Sequence, residues 1–211
     1  MNPKEKEISY TTTNSYSTLN TLTENTKTVW LVFHGMGYLS RYFINYFSNL
    51  DPISNYIIAP QAQSKYYLSS NFKHVGASWL TKENTLKETE NVLNYLDNVL
   101  KNEQLPNDID LVIIGYSQGV SIAMRYIAQR QINCKHLILH SGGIPNELTP
   151  LDFKFLTTHV HLVYGTQDEY LNKQRINEEI LKAKNLFGNN LNLAPFSGKH
   201  IVNVDFINTL L

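Results

Sequence analysis

The sequence predicts an α/β fold of the doubly wound type, in which helices cover both faces of a mostly parallel sheet. Five short segments are continuously apolar, which is typical of strands that are buried on both faces. They are residues 29–33, 56–59, 111–114, 137–139 and 160–164. Segments with helical spacing alternate with these strands, and alternation of this kind along one chain indicates a parallel sheet.

The clearest helix is predicted over residues 81–102, where Leu86, Leu93 and Leu96 recur at helical intervals. Thr81 is expected to cap its first turn, and Glu83 would lie favourably near the positive end of the helix dipole. A sixth, weaker strand is predicted over residues 191–194. The other helices are predicted over residues 39–48, 117–130, 171–184 and 201–210.

The first 27 residues are expected to form an edge hairpin in front of the main sheet. Residues 8–13 and 16–22 are rich in Thr, Tyr and Ser and lie on either side of Asn14 and Ser15, which suits two strands joined by a turn. The length of 211 residues fits one compact domain, with residues 28–211 as its core.

Charge and composition exclude several classes of protein. The 18 basic and 18 acidic residues give a formal net charge of zero, so there is no electrostatic case for binding nucleic acid or an anionic membrane surface. No run approaches the roughly 18 apolar residues that a membrane span needs, and the N-terminus lacks the apolar segment of a signal peptide. The single cysteine, Cys134, cannot form an internal disulfide. We therefore expect a soluble cytoplasmic protein.

One five-residue motif predicts a nucleophilic serine. It reads Gly115-Tyr116-Ser117-Gln118-Gly119. The motif fits the Gly-x-Ser-x-Gly pattern of the nucleophile elbow, a strained turn between a strand and a helix that lifts a serine hydroxyl clear of the sheet. A predicted strand precedes it and a predicted helix follows it, as the elbow requires. The alternative is an ordinary Gly/Ser turn in which Ser117 only caps the helix.

A nucleophilic serine needs a histidine to accept its proton and a carboxylate to orient that histidine. In folds with this elbow, the carboxylate and then the histidine follow the serine along the chain. Asp168 comes directly after the strand predicted over residues 160–164, with Glu169 as the adjacent competitor, and His200 lies in a loop after the last predicted strand. We therefore predict a triad of Ser117, Asp168 and His200.

Backbone N–H donors for a developing oxyanion are expected from two turns. The first, His34-Gly35-Met36-Gly37, directly follows the strand predicted over residues 29–33, and the second is the elbow itself. The expected donors are the N–H groups of Met36 and Gln118. Alternatively, the first turn is only a glycine turn. A phosphate loop is not indicated, because no Gly-Lys-Ser/Thr follows.

Four other histidines downstream of the elbow are expected to be core or sheet-edge residues. The pairs His136/His140 and His159/His161 have spacings that resemble those of metal ligands. They fall on predicted strands, however, without a nearby cluster of cysteines or carboxylates. The sequence therefore predicts neither a metal nor a cofactor.

Four motifs in this order resemble the phospholipase/carboxylesterase family of α/β-hydrolases, which includes acyl-protein thioesterases. They are His34-Gly35-Met36-Gly37, the Ser-Gln-Gly elbow, Gly165-Thr166-Gln167-Asp168 and Gly198-Lys199-His200-Ile201, and the resemblance spans about residues 28–211. It implies the α/β-hydrolase fold without a large lid, the triad Ser117-Asp168-His200, and an oxyanion hole lined by Met36 and Gln118. Within the family the chain looks most like small bacterial serine esterases.

The resemblance implies that the substrate is a small-molecule carboxylic ester or thioester, cleaved through an acyl-enzyme. Trp79, Tyr67 and Leu68 are expected to wall an apolar acyl pocket, for which short or medium chains are favoured. Residues 60–80 and 142–155 are the predicted walls of the cleft. Where the family often has Asp and Gly this chain has Tyr38 and Val120, which affects substrate choice more than mechanism. Two alternatives remain: a catalytically silent binding domain, and an acyltransferase or peptidase with the same triad.

Overall fold

The computed structural model describes residues 3–210, so residues 1, 2 and 211 of the predicted ranges lie outside it. Its strands are β1 (Tyr16–Leu19), β2 (Thr28–Phe33), β3 (Asn55–Pro60), β4 (Ser64–Tyr67), β5 (Val75–Ser78), β6 (Asp110–Tyr116), β7 (His136–His140), β8 (His159–Gly165) and β9 (Leu191–Phe196). Its α-helices are α1 (Ser40–Phe43), α2 (Thr85–Glu103), α3 (Gln118–Arg130), α4 (Lys173–Phe187) and α5 (Val204–Asn208).

Seven of these strands form one central sheet in the order β1-β3-β2-β6-β7-β8-β9. All neighbours from β3 to β9 are parallel, whereas β1 pairs antiparallel with β3. The two remaining strands, β4 and β5, form a separate antiparallel hairpin. The prediction of a mostly parallel sheet is confirmed, and the six predicted strands lie within two residues of their predicted bounds.

Helices cover both faces of the sheet, and the alternation of side chains along β2 shows how. Val29, Leu31 and Phe33 join a core cluster with α2, α3 and α4. Trp30 and Val32 point the other way and pack with α1, α5 and the 3₁₀ helix Ile44–Phe47. Because both faces are covered, β2 is apolar at every position from Val29 to Phe33. Within residues 3–210 no helix is long and apolar enough to cross a membrane.

The structure corrects the expected N-terminal hairpin. Residues 8–13 form no strand, and the side chains of Ile8 and Tyr10 are 89% and 82% exposed. The residues that do pair are those of β1, which add to the edge of β3 in the register Tyr16 opposite Pro60. The segment before β1 buries too little apolar surface to stabilise a second strand.

Four predicted helices also have different bounds, and one of them, predicted over residues 171–184, is observed as α4 (Lys173–Phe187). The helix α2 begins at Thr85 rather than Thr81, after Asn84 in a left-handed conformation and without a side-chain cap. The Thr81 hydroxyl accepts the N–H of Glu83 at 3.1 Å, which makes a local turn instead of a helix cap. The segment predicted over residues 39–48 divides into α1 and a 3₁₀ helix, and α5 is the short core of the segment predicted over residues 201–210.

Candidate active site

The residues of the predicted triad lie at one edge of the sheet. Ser117 follows β6, Asp168 follows β8 and His200 follows β9. Because these strands are parallel, their carboxyl ends meet at the same edge, which is where ligands bind in open α/β sheets. The topology therefore brings together residues that are far apart in the chain.

Ser117 occupies a strained turn between β6 and α3. Its backbone has φ 53° and ψ −118°, a region that residues with a Cβ rarely adopt. Two flanking glycines allow the close packing of this turn. A Cβ on Gly115 would lie 2.5 Å from the backbone of Val120, and one on Gly119 would lie 2.1 Å from the carbonyl oxygen of Phe33. The turn has the geometry of a nucleophile elbow.

His200 connects the other two residues through hydrogen bonds. Its Nδ1 lies 2.7 Å from Oδ2 of Asp168, and its Nε2 lies 3.0 Å from Oγ of Ser117. Since an ionised carboxylate can only accept, Nδ1 donates to Asp168 and the lone pair of Nε2 faces the serine hydroxyl. In this tautomer the imidazole can take a proton from the hydroxyl.

Asp168 is held on both carboxylate oxygens. Its side chain is fully buried, and Oδ1 accepts the N–H groups of Tyr170 at 2.8 Å and Leu171 at 3.0 Å. This leaves Oδ2 for His200. Glu169, the competing carboxylate, is exposed to solvent. The geometry therefore favours Asp168 over Glu169 as the partner of the imidazole.

Two tyrosines pack against the imidazole of His200. The ring centroid of Tyr170 lies 4.8 Å away in an edge arrangement, and that of Tyr116 lies 5.3 Å away. The Tyr116 hydroxyl donates to the carbonyl of His200 at 2.9 Å. Burial raises the pKa of Tyr116 far above its ordinary value, so its hydroxyl stays protonated as a donor. These contacts fix the loop that carries His200.

The two predicted oxyanion donors face the same cavity as the serine. Met36 and Gln118 line a cavity of about 440 Å³, together with Ser117 and His200. Within residues 3–210 neither of their backbone N–H groups donates to a protein acceptor, whereas the N–H of Gly37 is taken by the carbonyl of Ala77 at 2.9 Å. Both groups are therefore available to a bound substrate.

Trp79 is a core residue rather than a wall of this cavity, which corrects the prediction that it contacts substrate. It is 1% exposed, because its ring packs on the imidazole of His34 with a centroid distance of 5.0 Å. Its Nε1 donates to the carbonyl of His34 at 2.8 Å. The side chain of Gln118 fixes the same segment, since its Oε1 accepts the N–H of Trp79 at 2.8 Å and its Nε2 donates to the carbonyl of Leu80 at 2.7 Å. Trp79 therefore packs against the turn of residues 34–37, which contains Met36, and holds it in place without lining the cavity.

The other predicted pocket residues lie on the β4–β5 hairpin and not in the cavity wall. Tyr67 is 56% exposed and packs edge-on against Phe72, at a centroid distance of 5.1 Å. Leu68 lies beside Gly37, where an added Cβ would be 3.6 Å from Cδ2 of Leu68. These side chains form an apolar rim next to the turn of residues 34–37, and they do not line the cavity.

The remaining walls of the cavity come from three other segments. They are contributed by Ser121, Ser141, Gly142, Gly143, Tyr170, Leu171 and Arg175. The sequence indicated Gly142 and Gly143, because they begin one of the two predicted cleft segments. It gave no signal for Arg175, which lies in the first turn of α4 and reaches the cavity only through the packing of that helix.

Two buried histidines beside the site are neutral. For His34, Nδ1 donates to the carbonyl of Gly35 at 2.7 Å and Nε2 accepts the N–H of Ala62 at 3.1 Å, and burial lowers its pKa to about 4. For His140, Nε2 accepts the N–H of Asn203 at 2.8 Å, and burial lowers its pKa to about 3. The carbonyl of His140 also accepts the N–H of Ser117 at 2.8 Å. Both histidines thus act as hydrogen-bonding parts of the scaffold.

Histidines also pack together at the other end of β7 and β8. Nδ1 of His136 lies 3.1 Å from Nε2 of His161, and the rings of His136 and His159 stack at 5.7 Å. Among residues 3–210, no three side chains of His, Cys, Asp or Glu are arranged to hold a metal ion.

These features define an α/β-hydrolase. They are a mostly parallel sheet covered on both faces, a serine on a strained turn after β6, and a carboxylate and a histidine after later strands. The sequence profile of the phospholipase/carboxylesterase family matches residues 15–208, and the chain belongs to that family. The protein is accordingly an enzyme of the serine esterase type.

Solved structures of the same fold include enzymes of this family. Acyl-protein thioesterase 2 of Zea mays has 17% sequence identity and a TM-score of 0.68, with 92% of this chain and 94% of that chain covered. A phospholipase/carboxylesterase of Dyadobacter fermentans has 19% identity and a TM-score of 0.69, with 95% and 97% covered. The carboxylesterase of Bacillus cereus has 17% identity and a TM-score of 0.64, with 92% and 90% covered. A search of curated proteins gave no match.

Proposed function

We propose that the protein hydrolyses a carboxylic ester or thioester through an acyl-enzyme on Ser117. The observation that supports this most directly is the hydrogen-bonded chain from Asp168 through His200 to Ser117, with separations of 2.7 Å and 3.0 Å. The separation between Nε2 and Oγ is within the reach that proton transfer from a nucleophile to its base requires.

In the first half of the reaction, Oγ of Ser117 attacks the carbonyl carbon while its proton passes to Nε2 of His200. The tetrahedral intermediate collapses, and the alcohol or thiol leaves with the proton from Nε2. In the second half, water attacks the acyl group on Ser117 and gives its proton to Nε2, after which the acid is released and the hydroxyl of Ser117 is restored. Asp168 holds Nδ1 and stabilises the imidazolium in both halves.

The N–H groups of Met36 and Gln118 donate hydrogen bonds to the negatively charged oxygen of each tetrahedral intermediate. A fixed donor at such a position typically lowers the barrier by about 3 to 4 kcal/mol. The side chain of Gln118 and the indole of Trp79 hold the two turns that carry these donors, through the hydrogen bonds to Trp79, Leu80 and His34. Their role is to position the donors and not to contact the substrate.

Labelling with a fluorophosphonate, followed by intact-mass measurement, tests this proposal. We expect one adduct on the wild type and none on Ser117→Ala, because only a serine activated by an adjacent base reacts readily. Ser121→Ala is the matched control, since Ser121 lines the same cavity but donates its hydroxyl to the carbonyl of Gln118 at 2.9 Å. Labelling of Ser117→Ala at the wild-type rate, or no labelling of a folded wild type, would contradict the proposal.

A further inference from the structure

The cavity contains one cationic side chain that the proposed chemistry does not use. Arg175 lies in the first turn of α4 and lines the same cavity as Ser117 and His200. Its backbone N–H is taken by the side chain of Asn172, which caps the helix, at 3.1 Å. Its guanidinium forms no ion pair with any residue between 3 and 210.

Arg175 is exposed to solvent, and protein acceptors use few of the donors of its guanidinium. Nη1 donates to the carbonyl of Tyr170 at 3.1 Å, and this is the only protein acceptor that it has in the described part of the chain. An arginine side chain carries five N–H donors in a planar fork. Nη2 lies 3.4 Å from the place that a Cβ on Gly143 would occupy, so the lack of a side chain there keeps the space beside the fork open.

The fork is within reach of a substrate that is bound at the elbow. Gly142, next to Gly143, packs directly on the nucleophile, because a Cβ on it would lie 2.2 Å from the carbonyl oxygen of Ser117. Since consecutive Cα atoms are about 3.8 Å apart, the path through Gly142 and Gly143 sets an upper limit on the order of 10 Å for the separation between the guanidinium and the elbow. An acyl or leaving group of several bonds spans that separation.

No carboxylate in the cavity wall neutralises this charge. The carboxylate of Glu179, one turn further along α4, is nearby, because its Oε1 lies 3.8 Å from the place that a Cβ on Gly143 would occupy. It forms no ion pair with Arg175, and its oxygens accept the N–H of Ile144 at 2.7 Å and the ammonium of Lys182 at 3.1 Å. Asp168 is buried and committed to His200. The cavity residues therefore include a permanent cation and no permanent anion among those described.

We propose that Arg175 determines specificity by binding an oxyanion group, a carboxylate or a phosphate, that the substrate carries several bonds away from the scissile carbonyl. The inference rests on the proposed esterase function and narrows it from neutral acyl esters to esters with a distal negative charge. A planar guanidinium binds such a group with two parallel hydrogen bonds, and charge-assisted hydrogen bonds are the stronger kind.

A pair of matched substrates tests this proposal. The first is the p-nitrophenyl monoester of adipic acid, and the second is the methyl ester of the same compound, which is neutral and of similar shape. We expect Arg175→Gln to lower kcat/KM at least tenfold for the charged ester, mainly through KM, and to change it less than twofold for the neutral one. Arg175→Lys should restore part of the loss, because it keeps the charge without the fork.

Lys173→Gln is the matched control, because it removes one positive charge from the same turn of α4 at a residue that is exposed like Arg175 but lies outside the cavity wall. Its kcat/KM should equal that of the wild type for both esters. Equal losses for both esters in Arg175→Gln would overturn the proposal, and so would a wild type that prefers the neutral ester.

Binding without turnover separates this proposal from the catalytic one. Free adipate and inorganic phosphate are titrated calorimetrically into Ser117→Ala with and without Arg175→Gln. Binding of either anion that is lost with Arg175→Gln supports the anion site, even if no ester is hydrolysed and the proposed function fails. Hydrolysis of the neutral ester, with no anion binding that depends on Arg175, would leave the esterase proposal standing and reject the anion site.

Discussion

Two neighbouring carboxylates, Asp168 and Glu169, have opposite surroundings. Asp168 is buried and bound by His200, Tyr170 and Leu171, while Glu169 is exposed. The sequence predicted Asp168 with Glu169 as the adjacent competitor, although spacing alone does not separate the two positions. The choice depends on which side chain turns inward, and this is set by the two backbone N–H groups that bind Oδ1 of Asp168.

Asp168→Asn is expected to lower kcat by roughly 10⁴, with the fold retained. The amide can donate to Nδ1 of His200, and that favours the tautomer with the proton on Nε2, which cannot accept the proton of Ser117. Steady-state kinetics with a neutral aryl ester measures the loss. Glu169→Gln serves as the control and should stay within a fewfold of the wild type; a harmless Asp168→Asn beside an inactive Glu169→Gln would reverse the assignment.

The residues around the candidate triad were harder to place from the sequence than Ser117, Asp168 and His200, which the structure brings within hydrogen-bonding distance. Trp79, in the segment predicted between a strand and a helix, suited a pocket wall, yet its indole is held in the core by the carbonyl of His34. Arg175 is one of several charged residues in α4, and no local pattern distinguishes it from its neighbours. Motif residues follow strand ends, which apolar runs reveal, whereas wall residues depend on how separate elements pack.

At the level of elements, the elbow shows why strain in the backbone is tolerated at one serine. Ser117 has φ 53° and ψ −118°, close to the φ 51° and ψ −123° of Gly188 after α4. A residue with a Cβ is thus held in a conformation that suits glycine, at a cost of order 1–3 kcal/mol. The packing of Gly115 and Gly119 against neighbouring backbone prevents the turn from relaxing.

Ser117→Gly is therefore expected to be more stable than Ser117→Ala by about 1 kcal/mol, although both lack the nucleophile. Glycine relieves the backbone strain at this positive φ but also gives the unfolded chain extra conformational freedom. The free energy gained from the first effect exceeds the free energy lost through the second. Urea denaturation of the two inactive variants measures the difference.

A position within a helix serves as the control, because the stability difference between the glycine and alanine variants is expected to have the opposite sign there. Ser121 lies within α3, where Ser121→Gly should be less stable than Ser121→Ala by about 1 kcal/mol. A Ser117→Gly variant that is less stable than Ser117→Ala would show that the elbow stores no strain.

The ends of elements were predicted less well than their centres. The centres of buried strands such as β2 and β6 are continuously apolar, over residues 29–33 and 111–114, and this pattern depends only on their being covered on both faces. The start of α2 at Thr85 and the absence of a strand over residues 8–13 depend on weaker local preferences, which tertiary contacts override.

At the scale of the whole molecule, histidines of the sheet make its stability depend on pH. Burial lowers the pKa of the part-buried His161 to about 4, and two further histidines are more deeply buried. His34 directly follows β2, His140 is the last residue of β7, and both are wholly buried. Each accepts a backbone N–H through Nε2, from Ala62 and Asn203 respectively. Protonation would remove that acceptor and place a charge in the core, which is why burial lowers the pKa from 6.5 to about 4 for His34 and about 3 for His140.

The free energy of unfolding is therefore expected to be constant near neutral pH and to fall as the pH drops below about 6.5. In that window the unfolded chain binds protons that the folded chain excludes, at about 1.4 kcal/mol per pH unit for each histidine, or about 2 kcal/mol each by pH 5. Urea denaturation at a series of pH values from 7 to 5 measures this slope, above the range in which most carboxylates titrate.

His34→Gln should reduce the slope by about one proton whatever its absolute stability, while His74→Gln, at an exposed position, should leave it unchanged. A slope that is the same in His34→Gln and the wild type would mean that His34 carries its proton in the folded protein, and the hydrogen bond from Ala62 would then have to be reassigned.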